Sequence, residues 1–173
     1  MKFYKATIAV FAAAIFLSAF SVIAQSDNFS DPAVDYTFGV PDTRWKMIIK
    51  PSATSPNVEY VYGDRSDGHL AVRKISVAKD AMLSDIIENE EQKLLIRPGF
   101  VAGKQENFAG HLRGAVYNFE YVAAGRSMSG RFYFLKGNDN TVYVLRFTGQ
   151  KEILRTIRNQ TDSIARTFAV KNV

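Results

Sequence analysis

Residues 131–149, RFYFLKGNDNTVYVLRFTG, decide the fold class of this chain of 173 residues. Two runs of aromatic and β-branched residues, which favour β-strands, flank the polar sequence Gly137–Asn140. Glycine and asparagine readily adopt the backbone angles of a tight turn. The stretch therefore predicts two antiparallel strands joined by a turn, and a polar segment with helical periodicity follows it. We interpret the stretch as scaffold rather than as a carrier of chemistry.

Strand patterns continue on the N-terminal side of this hairpin and are interrupted by one helical pattern. There, apolar residues recur every three or four positions from Met82 to Leu94, and Ser84 is the predicted N-cap. A second helix is predicted over residues 151–165. The other predicted strands cover residues 36–40, 45–49, 57–62, 69–77, 100–108 and 111–122. This order is typical of an α+β domain in which helices cover an antiparallel sheet.

The first 24 residues have the layout of a secretory signal peptide. Lys2 and Lys5 precede an apolar run over residues 6–20, and small residues come before Gln25. The run is shorter than the roughly 20 residues that span a bilayer. We predict cleavage between Ala24 and Gln25, a periplasmic or secreted location, and no stable membrane insertion after cleavage. Residues 25–33 are predicted to form a flexible linker, and residues 34–173 a single α+β domain.

Composition excludes several kinds of site. The sequence has no cysteine, which rules out disulfides, thiolate metal ligands and a cysteine nucleophile. The formal net charge of +5 falls to +3 without residues 1–24, because they hold two lysines and no acid. Nucleic-acid-binding proteins usually show a concentrated basic stripe and a stronger positive charge. We therefore predict no nucleic-acid partner.

Three parts of the sequence together resemble a known family. They are YTFGVP at 36–41 with Trp45 close behind, VYVLRFTG at 142–149, and IARTF at 164–168. In this order of elements they resemble the Mog1/PsbP-like superfamily, including small exported bacterial members related to DcrB. The resemblance spans nearly all of the chain after the leader. It implies an α-β-α sandwich with a central antiparallel sheet of about six or seven strands and two main helices.

The same resemblance has an implication for function. Members of the superfamily serve mostly as binding or accessory proteins rather than as enzymes. The resemblance brings no catalytic residue with it, so none is assigned to a position in this sequence.

Basic residues form one candidate binding surface. Lys151, Arg155 and Arg158 recur at four and three residues and therefore share one face of the last predicted helix. Such a stripe is usually a solvated face. Alternatively, it binds an anionic partner such as lipid headgroups or an acidic protein.

Aromatic residues form a second candidate surface. They alternate along neighbouring predicted strands, so they either fill the core between sheet and helices or line a pocket for a small apolar ligand. The residues that could line such a pocket are Tyr117, Phe119, Phe132, Phe134 and Tyr143. A pocket of this kind would make the protein a carrier.

Catalytic and metal-binding patterns are weak. His69 and His111 each open a predicted strand, and with Asp67 they could hold a metal ion only if those strands were neighbours. Ser76 and Lys79 match the Ser-x-x-Lys pattern of penicillin-binding enzymes, but the sequence lacks the Ser-Asp-Asn and Lys-Thr-Gly motifs that accompany it. We predict no catalytic residue, no metal site and no cofactor.

The sequence thus predicts a non-enzymatic, exported, monomeric protein that engages an unknown protein or another component of the cell envelope. The alternative is a carrier that holds a small apolar ligand between sheet and helices. A hydrolase is a third hypothesis.

Overall fold

The computed structural model describes residues 27–171, and the predicted leader with its cleavage site lies outside this range. Ten strands and three helices form within these residues. The strands are β1 (Asp27–Ser30), β2 (Tyr36–Val40), β3 (Trp45–Ile49), β4 (Val58–Tyr62), β5 (Gly68–Ser76), β6 (Val101–Ala109), β7 (Arg113–Ala123), β8 (Arg126–Asn138), β9 (Thr141–Gln150) and β10 (Ala169–Val170). The helices are α1 (Leu83–Leu94), α2 (Lys151–Thr156) and α3 (Arg158–Thr167).

Seven of these strands form one antiparallel sheet in the order β3-β4-β5-β9-β8-β7-β6. The stretch at residues 131–149 lies near its centre, because it contains most of β8 and β9, which pair with each other. The turn is shorter than predicted, since β8 continues to Asn138 and only residues 139 and 140 reverse the chain. The predicted antiparallel sheet of six or seven strands is confirmed.

Side chains of β8 and β9 alternate between two cores, one on each face of the sheet. On one face, Phe134 belongs to a cluster with Ile87 and Leu94 of α1. On the other face, Tyr133 belongs to a cluster with Leu154 of α2 and with apolar residues of α3 and β2. The sheet therefore lies between α1 on one side and α2 and α3 on the other. This arrangement confirms the predicted α-β-α sandwich.

A smaller sheet of three strands, in the order β1-β2-β10, packs into the second of these cores. Strand β1 pairs antiparallel with β2, so the predicted linker over residues 25–33 is wrong for Asp27–Ser30. The physical reason is Phe29, which is only 4% exposed and stacks on Phe38 with the ring centroids 4.7 Å apart. Burial of this one ring anchors a segment whose other residues are mostly polar.

Helix α1 begins at Leu83, before the predicted N-cap Ser84. Met82 occupies the N-cap position and makes no side-chain hydrogen bond to the helix. The Ser84 hydroxyl lies 3.1 Å from the Asp85 carboxylate and donates to it. The predicted N-cap is therefore wrong. The packing of the apolar face of α1 on the sheet holds the helix in place.

The predicted helix over residues 151–165 is divided into α2 and α3. The backbone at Ile157 leaves helical geometry, with φ −93° and ψ 15°. Leu154 before the break and Ile164 after it are both buried in the same core. The helical periodicity thus predicted the buried face correctly, although the backbone bends between its two halves.

Candidate functional site

A cleft of about 500 Å³ opens between the large sheet and the C-terminal helices. Strands β6, β7 and β8 form its floor near one edge of the sheet, and α2 with the start of α3 forms its wall. The residues that line it are 101–104, 106, 118–120, 129–131, 151, 154, 155 and 158. The cleft is therefore assembled from segments that are far apart in the sequence.

Strand alternation explains why the floor of the cleft is polar. Tyr117 and Phe119 of β7 face α1, so Asn118 and Glu120 face the C-terminal helices. Arg131 of β8 lies opposite Asn118 and faces the same way. A strand pair with buried rings on one side thus presents polar groups on the other.

Positive charge dominates the cleft, because its lining residues include five basic side chains and only two acidic ones. The acidic residues are Glu106 of β6 and Glu120 of β7. The basic residues are Lys104 and Arg131 on the floor and Lys151, Arg155 and Arg158 on the wall. The structure thus places all three residues of the predicted basic stripe along one side of a concave surface.

Two ion pairs join the floor to the wall. The Lys151 ammonium lies 2.8 Å from the Glu120 carboxylate, and the Arg158 guanidinium lies 3.9 Å from the Glu106 carboxylate. The four side chains are about half exposed, from 43% for Lys151 to 57% for Arg158. Exposed pairs of this kind contribute only about 0.2–1 kcal/mol each, because water competes for both partners.

The other cations of the cleft wall and edge are more accessible. Arg155 pairs with Glu152 of its own helix at 2.6 Å, and 75% of its side chain is exposed. Lys104 is exposed at the edge of the sheet and has no ion-pair partner among residues 27–171. Both can therefore turn toward an anion without breaking a buried interaction.

Arg131 is the buried cation of the floor, and each of its three guanidinium nitrogens donates a hydrogen bond within the fold. Its Nε donates to the Tyr133 hydroxyl at 2.6 Å, one terminal nitrogen donates to Asn118 Oδ1 at 2.6 Å, and the other to Asp162 Oδ1 at 2.8 Å. Burial raises the pKa of Tyr133, so its hydroxyl remains protonated and donates in turn to Asp162. Arg131 therefore ties α3 to the sheet, and the Asp162 carboxylate balances its charge beneath the cleft.

The five aromatic residues of the predicted pocket do not line one common cavity. Tyr117, Phe119, Phe132 and Phe134 are buried in the cluster under α1. Tyr143 lies on the opposite face of the sheet, in the core with α2 and α3, so the prediction is wrong for this residue. The physical reason is the alternation of β9, which turns Tyr143 away from Val142 and Val144. The rings fill the two cores, which was the alternative to a ligand pocket in the sequence analysis.

The histidine and serine patterns weighed in the sequence are not assembled into sites. His69 Nε2 donates a hydrogen bond to the carboxylate of the buried Glu59 at 2.9 Å. Strands β9 and β8 lie between β5, which carries His69, and β7, which His111 precedes, so the two histidines are not on neighbouring strands. The Lys79 ammonium lies 3.7 Å from Asp139 and is exposed, which leaves Ser76 without a buried base.

No family model and no curated protein sequence matches the chain. Solved structures do match it. Mog1p, the Ran-binding protein of Saccharomyces cerevisiae, is 10% identical, with a TM-score of 0.61 over 85% of this chain and 96% of Mog1p. The cyanobacterial PsbP (CyanoP) of Synechocystis sp. PCC 6803 is 14% identical, with a TM-score of 0.61 over 87% of this chain and 95% of that protein. LpqN of Mycobacterium tuberculosis, involved in cell envelope biogenesis, is 13% identical, with a TM-score of 0.56 over 86% of each chain.

These similarities define the fold of the chain. The chain has a Mog1/PsbP-like fold, as its sequence patterns predicted, and the fold carries a cationic cleft between its sheet and its C-terminal helices. Within the part of the chain that the structure describes, no helix combines the length and apolar character needed to cross a membrane.

The sequence singled out the three basic residues that lie in the wall of the cleft, but it did not indicate the cleft or its floor. Helical spacing alone identified Lys151, Arg155 and Arg158. Glu106 and Arg131 gave no such signal, because their strands reach α2 and α3 only through the order of the sheet. The one available sign was the polar face of β7, on which Glu120 alternates with buried rings.

Proposed function

We propose that the protein is an exported, non-enzymatic accessory protein that binds an anionic partner in the cationic cleft. The partner is a protein or another component of the cell envelope. One observation carries the proposal: five basic and only two acidic side chains converge on a concave surface between sheet and helices. A concave surface of one dominant charge concentrates the field and attracts ligands of the opposite sign.

Proteins of similar fold support an accessory or binding role. Mog1p is a Ran-binding protein, and LpqN is involved in cell envelope biogenesis. Export is proposed from the leader-like sequence over residues 1–24, followed by cleavage before Gln25. These two lines of support are independent of the charge of the cleft.

The chemistry of the cleft favours binding over catalysis. Its lining residues include no histidine, and its two carboxylates are engaged by Lys151 and Arg158. Each of the three guanidinium nitrogens of Arg131 donates a hydrogen bond within the fold. A general acid or base needs a positioned group with a suitable pKa, and the cleft offers cations for attraction instead.

The test is retention of native envelope components by the purified protein. A cleft variant reverses three charges of the wall by Lys151→Glu, Arg155→Glu and Arg158→Glu. A control variant makes the same change of charge outside the cleft at three exposed lysines, Lys46, Lys50 and Lys79. We expect the cleft variant to lose its partner while the control keeps it, and we expect salt to weaken retention by the unaltered protein.

Equal retention by the two variants contradicts the proposal. Far-UV circular dichroism of both variants controls for folding, and N-terminal sequencing of the protein recovered from the native cell checks the expected start at Gln25.

A further inference from the structure

Glu106 and Glu120 are the two acidic side chains in a cleft whose other charged lining residues are positive. Each reaches across the cleft, Glu106 to Arg158 at 3.9 Å and Glu120 to Lys151 at 2.8 Å. Their side chains are 49% and 47% exposed, so neither is a buried charge that the fold must neutralise. The elements that the pairs join are already held together by a buried apolar core. The two carboxylates therefore occupy positions that carboxylates of a ligand can take.

The pairing of β6 with β7 sets the distance between these two positions. Glu106 lies opposite Val116, and Glu120 lies opposite Val101, so the positions are four residues apart along β7. At about 3.3 Å per residue, four residues correspond to about 13 Å along the strand. An extended peptide presents its side chains i and i+4 on one face at the same separation, because alternate residues face the same way.

We propose that the ligand of the cleft is an extended polypeptide segment with carboxylates at positions i and i+4. In the free protein, Glu106 and Glu120 occupy the places of these carboxylates and compete with the ligand for the cations of the cleft. The inference rests on the proposed function and adds the class of ligand to it. The ligand displaces Glu120 from Lys151 and Glu106 from Arg158, and its own carboxylates replace them. A ligand with one carboxylate, or with a different spacing, replaces only one of the two pairs and binds more weakly.

The shape of the cleft favours a peptide over a membrane surface. Lys151 and Arg158 each face a carboxylate of the floor, within a cleft of about 500 Å³. That volume lies in the range of about 300–1,000 Å³ that is typical of sites for small ligands. A bilayer attracts exposed basic segments by the potential of a broad surface, and such a surface does not enter a cleft to displace individual carboxylates.

The test measures binding of a fluorescein-labelled peptide by fluorescence anisotropy at low salt. The peptide is Ser-Thr-Glu-Ser-Thr-Ser-Glu-Thr-Ser, with carboxylates at its third and seventh positions. One control peptide has glutamine at both positions, and a second has its second glutamate moved from the seventh to the sixth position. We expect both controls to bind more weakly than the first peptide, the glutamine peptide by roughly tenfold or more.

Variants of the protein give effects in opposite directions. Glu106→Gln and Glu120→Gln, made separately, are each expected to tighten binding about 1.4- to 5-fold, the range that corresponds to loss of one exposed ion pair. Lys151→Glu and Arg158→Glu are each expected to weaken it roughly tenfold or more. Lys79→Glu, an exposed reversal outside the cleft, leaves binding unchanged. Urea unfolding of each variant confirms that it is folded.

The inference is overturned if neither glutamine variant binds the peptide more tightly, or if the spacing of the two glutamates makes no difference. Vesicles of phosphatidylglycerol and phosphatidylcholine serve as the membrane probe. If vesicles bind in a manner that requires Lys151 and Arg158 while the peptide does not bind, the peptide inference fails and the proposed anion-binding function stands. If neither probe nor the native partner depends on these cations, the proposed function fails as well.

Discussion

Replacement of Arg131 by methionine should destabilise the protein strongly, although Arg131 lies in the floor of an open cleft. The guanidinium makes charged hydrogen bonds to the Tyr133 hydroxyl at 2.6 Å, to Asn118 at 2.6 Å and to Asp162 at 2.8 Å. Loss of one partner from a buried ion pair costs about 3–5 kcal/mol. Because 24% of the Asp162 side chain is exposed, water solvates it in part, and we expect the low end of that range, about 3 kcal/mol.

The assay is urea unfolding followed by the fluorescence of Trp45, which is the protein's one tryptophan and is 4% exposed in the folded chain. For a protein of this size, about 3 kcal/mol corresponds to a fall in Tm of about 6–12 °C. Lys151→Met is the matched control, because it removes another cation of the cleft whose ion pair is about half exposed. We expect this control to cost less than about 1 kcal/mol.

A double-mutant cycle with Asp162→Asn isolates the pair itself. Since Arg131 and Asp162 are in direct contact, the double variant should lose about 1–2 kcal/mol less than the sum of the two single losses. A loss below about 1 kcal/mol for Arg131→Met, or losses that add within about 0.5 kcal/mol, would refute the view that this pair fastens α3 to the sheet.

Two further predictions concern a glycine and an acid. Gly130→Ala should cost about 1–3 kcal/mol, because a Cβ at this position overlaps the ring of Phe119, and Phe119→Leu in the same chain should reduce that cost in urea unfolding. If the ring change brings no relief, the overlap is not the cause. Burial raises the pKa of the Glu59 carboxyl, but hydrogen bonds from Arg73 and His69 outweigh burial and hold it below its usual range. The stabilisation by Glu59 is therefore present above the unfolded-state pKa and lost as the pH falls through the folded-state pKa. Glu59→Gln should lower the free energy of unfolding at neutral pH. Between about pH 5 and pH 3, the variant should lose less free energy of unfolding than the unaltered protein. Identical losses in the two proteins over that interval would count against this assignment.

Most of the fold could be predicted because its signals are local. The alternation of large apolar side chains in residues 131–149, with turn residues between them, predicts two paired strands without reference to the rest of the chain. The periodicity around Ile87 predicts α1 in the same way. The predicted linker is wrong because a contact outside that segment decides its structure. Phe29 binds its polar segment into a sheet because Phe38 offers it a buried partner.

The candidate site could be predicted only in part, for a related reason. The spacing of Lys151, Arg155 and Arg158 predicts one helix face, although the structure divides these residues between α2 and α3. Whether that face meets solvent, another charge or a cavity depends on what lies beside it. Glu106 and Glu120 became part of the site because β6 pairs with β7 at the edge of the sheet, with a shift of register between Ala102 and Gln105.

The sequence by itself determined the leader-like start, the exclusion of thiol chemistry, the alternation of the strands and the basic stripe, since composition and periodicity are properties of short stretches. Only the tertiary structure decided which strands are neighbours, and thereby that the stripe faces a cleft with two acids in its floor and that the five rings are divided between two cores. The physical reason is that strand order and the packing of helices on a sheet depend on the apolar surface buried over the whole domain. A pattern within one short stretch of sequence does not contain that information.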